Sequence, residues 1–269
     1  MDPFVSPQYW AARRESIQTA DVRWYLDGRS GRAAFEAGHL PGAVLVELEH
    51  CLSGPPGPEV ARHPLPDPSA FARCMSAAGI GDHSTVVAYD DQGGVIAARL
   101  VWMLRALGVE AALLDGGLAA FGGELATGAP RASQPAAFSA RPWPQSRLAE
   151  IGDLFEEGIV LVDARDPERF RGEWEPVDPR AGHIPGAVNL PCRANLDPGG
   201  RLAGSERLRR RFAAAGISDA SRVVSYCGSG VTACHNLLVM EAVGLGRGRL
   251  YPGSWSQYSA SGAGVELGD

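Results

Sequence analysis

The chain has 269 residues, 45% of them hydrophobic and 21% charged, enough apolar surface for two cores of ordinary size and too little charge for a disordered chain. All 25 basic residues are arginine, which excludes a Schiff-base lysine, a phosphate-loop lysine and a lysine general base. Set against 31 acidic residues they leave a net charge of −6, which argues against a binder of nucleic acid or of an anionic membrane and requires local arginines for any small anionic substrate.

Residues 1–10 lack a basic region, an apolar run and a small-residue cleavage site, and no run of about 18 apolar residues follows, so a soluble cytoplasmic chain is expected. The first landmark is Asp21-Val22-Arg23, and the second is Gly38-His39-Leu40-Pro41-Gly42-Ala43-Val44. A β-branched run at 86–89, a helical stretch at 95–107 and another short run at 111–114 follow. Strand, helix and strand at this spacing predict right-handed βαβ units on a mostly parallel sheet. Pro130, Pro135, Pro142 and Pro144 then mark an extended linker over 129–146.

Beyond the linker the same landmarks return. Asp163-Ala164-Arg165 answers Asp21-Val22-Arg23, and Gly182-His183-Ile184-Pro185-Gly186-Ala187-Val188 repeats the second motif with six of seven residues identical. Runs at 222–226 and 249–251 flank a helical stretch at 231–243. The order is kept while the offset varies between 136 and 144, as in two copies of one α/β domain with unequal loops. The expected division is therefore an N-terminal domain over 1–128, the linker, and a C-terminal domain over 147–269.

Five cysteines, Cys51, Cys74, Cys192, Cys227 and Cys234, are an odd number without a C-x-x-C pair, which predicts free thiols in a reducing compartment and no metal site. Cys227 is singled out by its setting, Tyr226-Cys227-Gly228-Ser229-Gly230-Val231-Thr232, at the carboxyl end of a strand and ahead of a helix. Glycines let successive amide N–H groups converge, and a nest of that kind beside a helix start favours a thiolate over a thiol. A cysteine phosphatase would need an arginine six residues on; that position is Ala233.

The Cys-Gly-Ser-Gly-Val-Thr loop, the duplicated His-x-Pro-Gly-Ala motif and the paired Asp-x-Arg strands resemble the tandem-domain rhodanese family of sulfurtransferases, and within it the 3-mercaptopyruvate sulfurtransferases. The resemblance spans about 5–258 and implies two rhodanese-like α/β domains, each a mostly parallel sheet flanked by helices. The second domain is then catalytic, with sulfur carried as a persulfide on Cys227 and held by the loop of Gly228, Gly230, Val231 and Thr232, without a metal or organic cofactor. The first is non-catalytic, an offset of 136 carrying Cys227 back to Asp91. The implied partners are a small anionic sulfur donor and a thiol or cyanide acceptor, with no nucleic acid and no membrane.

Donor choice is addressed by two further features. Thiosulfate users of the family resemble one another in carrying basic residues after the cysteine, whereas Gly228 and Ser229 are neutral; Ser229 is implied to hydrogen-bond the donor sulfur. Phe170 to His183 spans thirteen residues where Phe35 to His39 spans four. The inserted loop bears arginines, of which the resemblance implies Arg169 and Arg180 as carboxylate and carbonyl ligands. His39 is implied in a proton relay with the serine, although its duplication as His183 reads as structural. Cys234 reads as core, Arg207 to Arg211 as the solvated face of a helix, and Trp174 as a pocket wall. A thiosulfate:cyanide sulfurtransferase and a non-catalytic sulfur-carrier module remain the alternatives.

Overall fold

Nine short strands, all paired in parallel, carry the described residues of the computed structural model, which describes every residue except Pro58, Arg131 and Ala132. The chain divides into two units. The first comprises Met1–Gly54, Pro66–Trp143 and Asp197–Leu202. Its strands are β1 (Phe4–Val5), β2 (Gln18–Asp21), β3 (Val44–Leu45), β4 (Thr85–Tyr89) and β5 (Glu110–Leu114), in the order β1-β5-β4-β2-β3. Val86, Val87, Ala88 and Tyr89 are all buried, as expected of a central parallel strand covered on both faces. Trp10, Phe35, Leu40, Val87, Tyr89 and Leu114 belong to one core cluster of this unit.

The second unit comprises Pro55–Leu65, Pro144–Leu196 and Ala203–Asp269. Here β6 (Val160–Asp163), β7 (Val188–Asn189), β8 (Val223–Tyr226) and β9 (Arg249–Leu250) lie in the order β7-β6-β8-β9. A parallel bridge from Leu148 to Leu250 stands where β1 pairs with β5 in the first unit. Its core gathers Leu154, Leu161, Ile184, Val224, Tyr226, Tyr251, Trp255 and Tyr258.

Several sequence expectations are corrected. The helices begin at Ala98 and Ala233, later than 95 and 231, because the intervening residues curl into loops at the sheet's carboxyl edge. The expected linker falls partly outside the described residues at Arg131 and Ala132. Of the rest, Phe138 packs edge-on against Phe71 and Trp143 Nε1 donates to Pro66 O at 2.8 Å, so this stretch is tied to the first unit up to Trp143. Cys51 and Cys74 are paired in a disulfide with Cα atoms 5.5 Å apart, which corrects the expectation of five free thiols; the helices Leu48–Cys51 and Pro68–Ala77 bring them together. The helix Ser205–Ala214 does bury Leu208 and Phe212, while Arg211 bonds Pro191 O and Asn195 Oδ1 instead of facing solvent.

Candidate active site

The duplicated residues build scaffold. Arg165 grips Asp163 through Nε and Nη2 at 2.7 to 3.1 Å and donates to Gly182 O at 2.7 Å. Arg23 repeats this with Asp21 and Gly38 O. His183 Nδ1 lies 2.8 Å from Phe170 O with the two rings stacked at 3.6 Å, and His39 stands in the same relation to Phe35 at 2.8 and 3.7 Å. The structure thus gives His39 a backbone carbonyl and a ring face as partners within the first unit. Replacing either histidine with alanine should destabilise its own unit by about 1–2 kcal/mol, the worth of one buried hydrogen bond and a ring contact, read from denaturant unfolding.

Cys227 follows β8 and is buried. Its N–H donates to Ser254 Oγ at 3.1 Å, its carbonyl accepts from Trp255 N at 2.9 Å, and Gly228 O accepts from Ser256 N at 2.9 Å. Ser254 holds φ +51°, a left-handed conformation that a serine adopts at a cost and that fixes the cysteine backbone here. Gly230, at φ +76°, makes the turn that glycine permits. Val231 O and Thr232 O then accept from Cys234 N and His235 N as the helix starts. Cys234 is buried with Sγ 3.4 Å from Gly230 O, and burial pushes the Cys192 thiol up to about 12.

The first copy shows what such a loop holds. Tyr89 and Tyr226 close equivalent strands, their hydroxyls accepting from Leu40 N and Ile184 N. Asp90 O accepts from Leu118 N as Cys227 O accepts from Trp255 N, and Gly117 at φ +55° matches Ser254 at +51°. The register is therefore 137 residues, and the counterpart of Cys227 is Asp90, one residue before the expected Asp91. Matching Gly117 to Gly253 by identity misled, because the left-handed position carries serine in the second copy. The fully buried Asp90 carboxylate accepts from the amides of Gln92, Gly94, Ile96 and Ala97 at 2.7 to 2.9 Å. Burial pushes this carboxyl up from its ordinary range and the four N–H groups pull it back. An anion in this nest is thus part of the first copy's own fold.

Two guanidiniums face the cysteine loop. A β-carbon placed on Gly228 would stand 2.9 Å from Arg62 Nη2 and 3.4 Å from Arg169 Nη1. Arg169, in the helix Pro167–Phe170, bonds Glu175 through Nε and Nη2 at 2.6 to 3.1 Å and Asp178 at 3.1 Å. Arg62 reaches Asp178 through Nε and Nη2 at 3.0 and 3.1 Å. Arg165 closes the network on Glu175 at 3.3 Å, giving three guanidiniums against three carboxylates, Asp163, Glu175 and Asp178. Arg180 is turned elsewhere: it donates to the carbonyls of Ser259, Ala263 and Tyr258 at 2.6 to 3.1 Å and does not join Arg169 at the loop. Trp174, expected as a pocket wall, is 59% exposed.

Beside the arginines, His63 Nδ1 lies 2.7 Å from Ser229 Oγ, both side chains buried. Sequence reasoning overlooked Arg62 and His63, which sit among prolines in the first half of the chain yet belong to the second unit. The usable signal was the absence of a duplicate: His39 and His183 repeat each other, whereas the Arg62-His63 pair has no such partner. Among the described residues no group of three or more His, Cys, Asp or Glu could hold a metal ion, and no helix is long and apolar enough to cross a membrane.

Residues 7–124 and 148–261 each match the rhodanese-like domain family. The chain is 41% identical over 267 residues to the probable 3-mercaptopyruvate sulfurtransferase of Pseudomonas aeruginosa, with 94% of each covered. It is 39% identical over 253 residues to the putative thiosulfate sulfurtransferase SseB of Mycobacterium tuberculosis, covering 91% of this chain and 89% of that one. The solved structure of 3-mercaptopyruvate sulfurtransferase from Leishmania major aligns with a TM-score of 0.84 at 31% identity, over 96% of this chain and 74% of that one. With both halves matched to one domain and relatives of this identity aligned nearly end to end, the chain belongs to the rhodanese-like family as a tandem of two domains, and is a sulfurtransferase.

Proposed function

We propose that the chain transfers sulfane sulfur from 3-mercaptopyruvate, through a persulfide on Cys227, to a thiol or cyanide acceptor. The Cys227 thiolate attacks the donor sulfur and the carbon–sulfur bond breaks, its electron pair leaving on the three-carbon fragment as an enolate. The proton of the donor thiol passes to that carbon, giving pyruvate and a persulfide anion. Ser229 carries this proton in the proposed step, a role that its hydrogen bond to His63 supports. By the register with Asp90, the amides of Ser229, Val231 and Ala233 are those that would stabilise charge on the outer sulfur. An acceptor thiolate or cyanide then attacks that sulfur and Cys227 leaves as a thiolate, which is a two-step exchange with ping-pong kinetics.

The observation that carries the choice of donor is the pair of guanidiniums over Gly228, embedded in a network whose charges already balance. Arg62 and Arg169 offer a fork on which a single carboxylate can replace one of the network's own at no change of charge, whereas a dianion in the same exchange would leave the buried cluster with excess negative charge. On one purified sample, kcat/KM for 3-mercaptopyruvate should exceed that for thiosulfate by at least about tenfold, or 1.4 kcal/mol of differential transition-state binding. The relative named as a thiosulfate sulfurtransferase supports the second reading, and a preference for thiosulfate in this assay would establish it in place of the first.

A further inference from the structure

Asp178 bonds both of the guanidiniums that face the cysteine loop. Its side chain is 2% exposed, it meets Arg62 bidentately, and it shares Arg169 Nη2. Both guanidiniums are those that face Gly228 beside the nucleophile. Glu175 is fixed more firmly, bonding Arg165, Arg169 and the backbone N–H groups of Val177 and Asp178. Asp178 has none of these backbone ties on its carboxylate, and it borders a cavity of about 360 Å³ lined also by Arg62, Val177, Pro179, Ser256 and Ala260, which gives the side chain somewhere to go. Burial, with Glu175 alongside, pushes its carboxyl up from the ordinary range against the pull of Arg62 and Arg169.

We infer that Asp178 is the internal counter-ion of the donor-carboxylate subsite, and that an entering anion takes over its bonds to Arg62 and Arg169. The inference rests on the reading of Cys227 and the two arginines given above. Exchange of one carboxylate for another conserves charge and hydrogen bonds, so the arginines stay satisfied before and after binding. A ligand without negative charge cannot compensate them and gains nothing from the displacement. Asp178 is thereby a specificity-determining residue: it keeps the subsite closed to neutral molecules and sets the energy that a donor anion has to match.

The test is Asp178→Asn, which keeps the shape and removes the charge, titrated calorimetrically with pyruvate, thiosulfate and the neutral isostere pyruvamide at fixed ionic strength. Pyruvate should bind roughly tenfold tighter than to the wild type, thiosulfate should gain more than pyruvate because it carries twice the charge, and pyruvamide should not change. A purely structural role cannot reproduce a gain that grows with ligand charge. Unchanged or weaker pyruvate binding, or an equal gain for all three, would overturn the inference. Asp178→Ser should give the same order of gains and replaces the asparagine variant if that one does not fold. Turnover is not read, so a wild-type preference for thiosulfate would count against the donor assignment alone.

Discussion

Cys227→Ser should abolish sulfur transfer, lowering kcat/KM by at least about 10⁴-fold, because a serine hydroxyl at neutral pH is no substitute for a thiolate and cannot form a persulfide. The substitution is nearly isosteric. The contacts that fix the position, from the backbone N–H to Ser254 Oγ and from Trp255 N to the carbonyl, do not involve the sulfur, so the variant should fold. Mass spectrometry of the wild type after donor treatment should find one added sulfur atom, on the peptide carrying Cys227. Cys192, whose buried thiol is pushed up to about 12, and Cys234, directed at Gly230 O, should carry none. A persulfide recovered on either of them in Cys227→Ser would sink the mechanism.

What could be read from the sequence were the features encoded locally. The repeated His-x-Pro-Gly-Ala motif gave the tandem organisation, because the same local contacts recur around it: the histidine caps Phe35 O or Phe170 O, and the aspartate two residues before the arginine anchors it in both copies. The setting of Cys227, the proposed nucleophile, was legible for the same reason, since strand, cysteine, two glycines and helix start are contiguous. The site's other half was not. Arg62 and His63 reach the Cys227 loop from 164 or more residues away, and nothing in the local pattern of Arg62-His63-Pro64-Leu65-Pro66 says which unit receives it. Arg180 failed in the opposite way. Its place in the insertion suggested a ligand, but the segment around Tyr258 to Ala263 presents three carbonyls that consume its donors, a tertiary fact invisible in spacing. The pairing of Cys51 with Cys74 was likewise hidden, because an odd count over the whole chain says nothing about two thiols on neighbouring helices.

Replacing Arg169 should have two separable effects, and the network explains both. Arg169→Ala leaves Glu175 and Asp178, each with a side chain at most 3% exposed, short of their shared guanidinium. Breaking a buried pair from one side costs about 3–5 kcal/mol, so the single variant should lose thermal stability as well as donor affinity, and its kinetics alone would not isolate the second effect. The double variant Arg169→Ala with Glu175→Gln removes one charge of each sign and retains an amide to accept from Val177 N and Asp178 N. It should recover much of the lost stability. What remains is the missing fork over Gly228, and the loss of a charge-assisted bond to the donor carboxylate, about 1.5–3 kcal/mol, corresponds to a KM for 3-mercaptopyruvate raised roughly 10- to 150-fold. Because Arg62 keeps its place beside the loop, some affinity should persist, and Arg62→Ala added to the double variant should remove it. A double variant with restored melting temperature and a wild-type KM would show that Arg169 serves only Glu175 and Asp178, and the donor carboxylate would then have to be sought on Arg62.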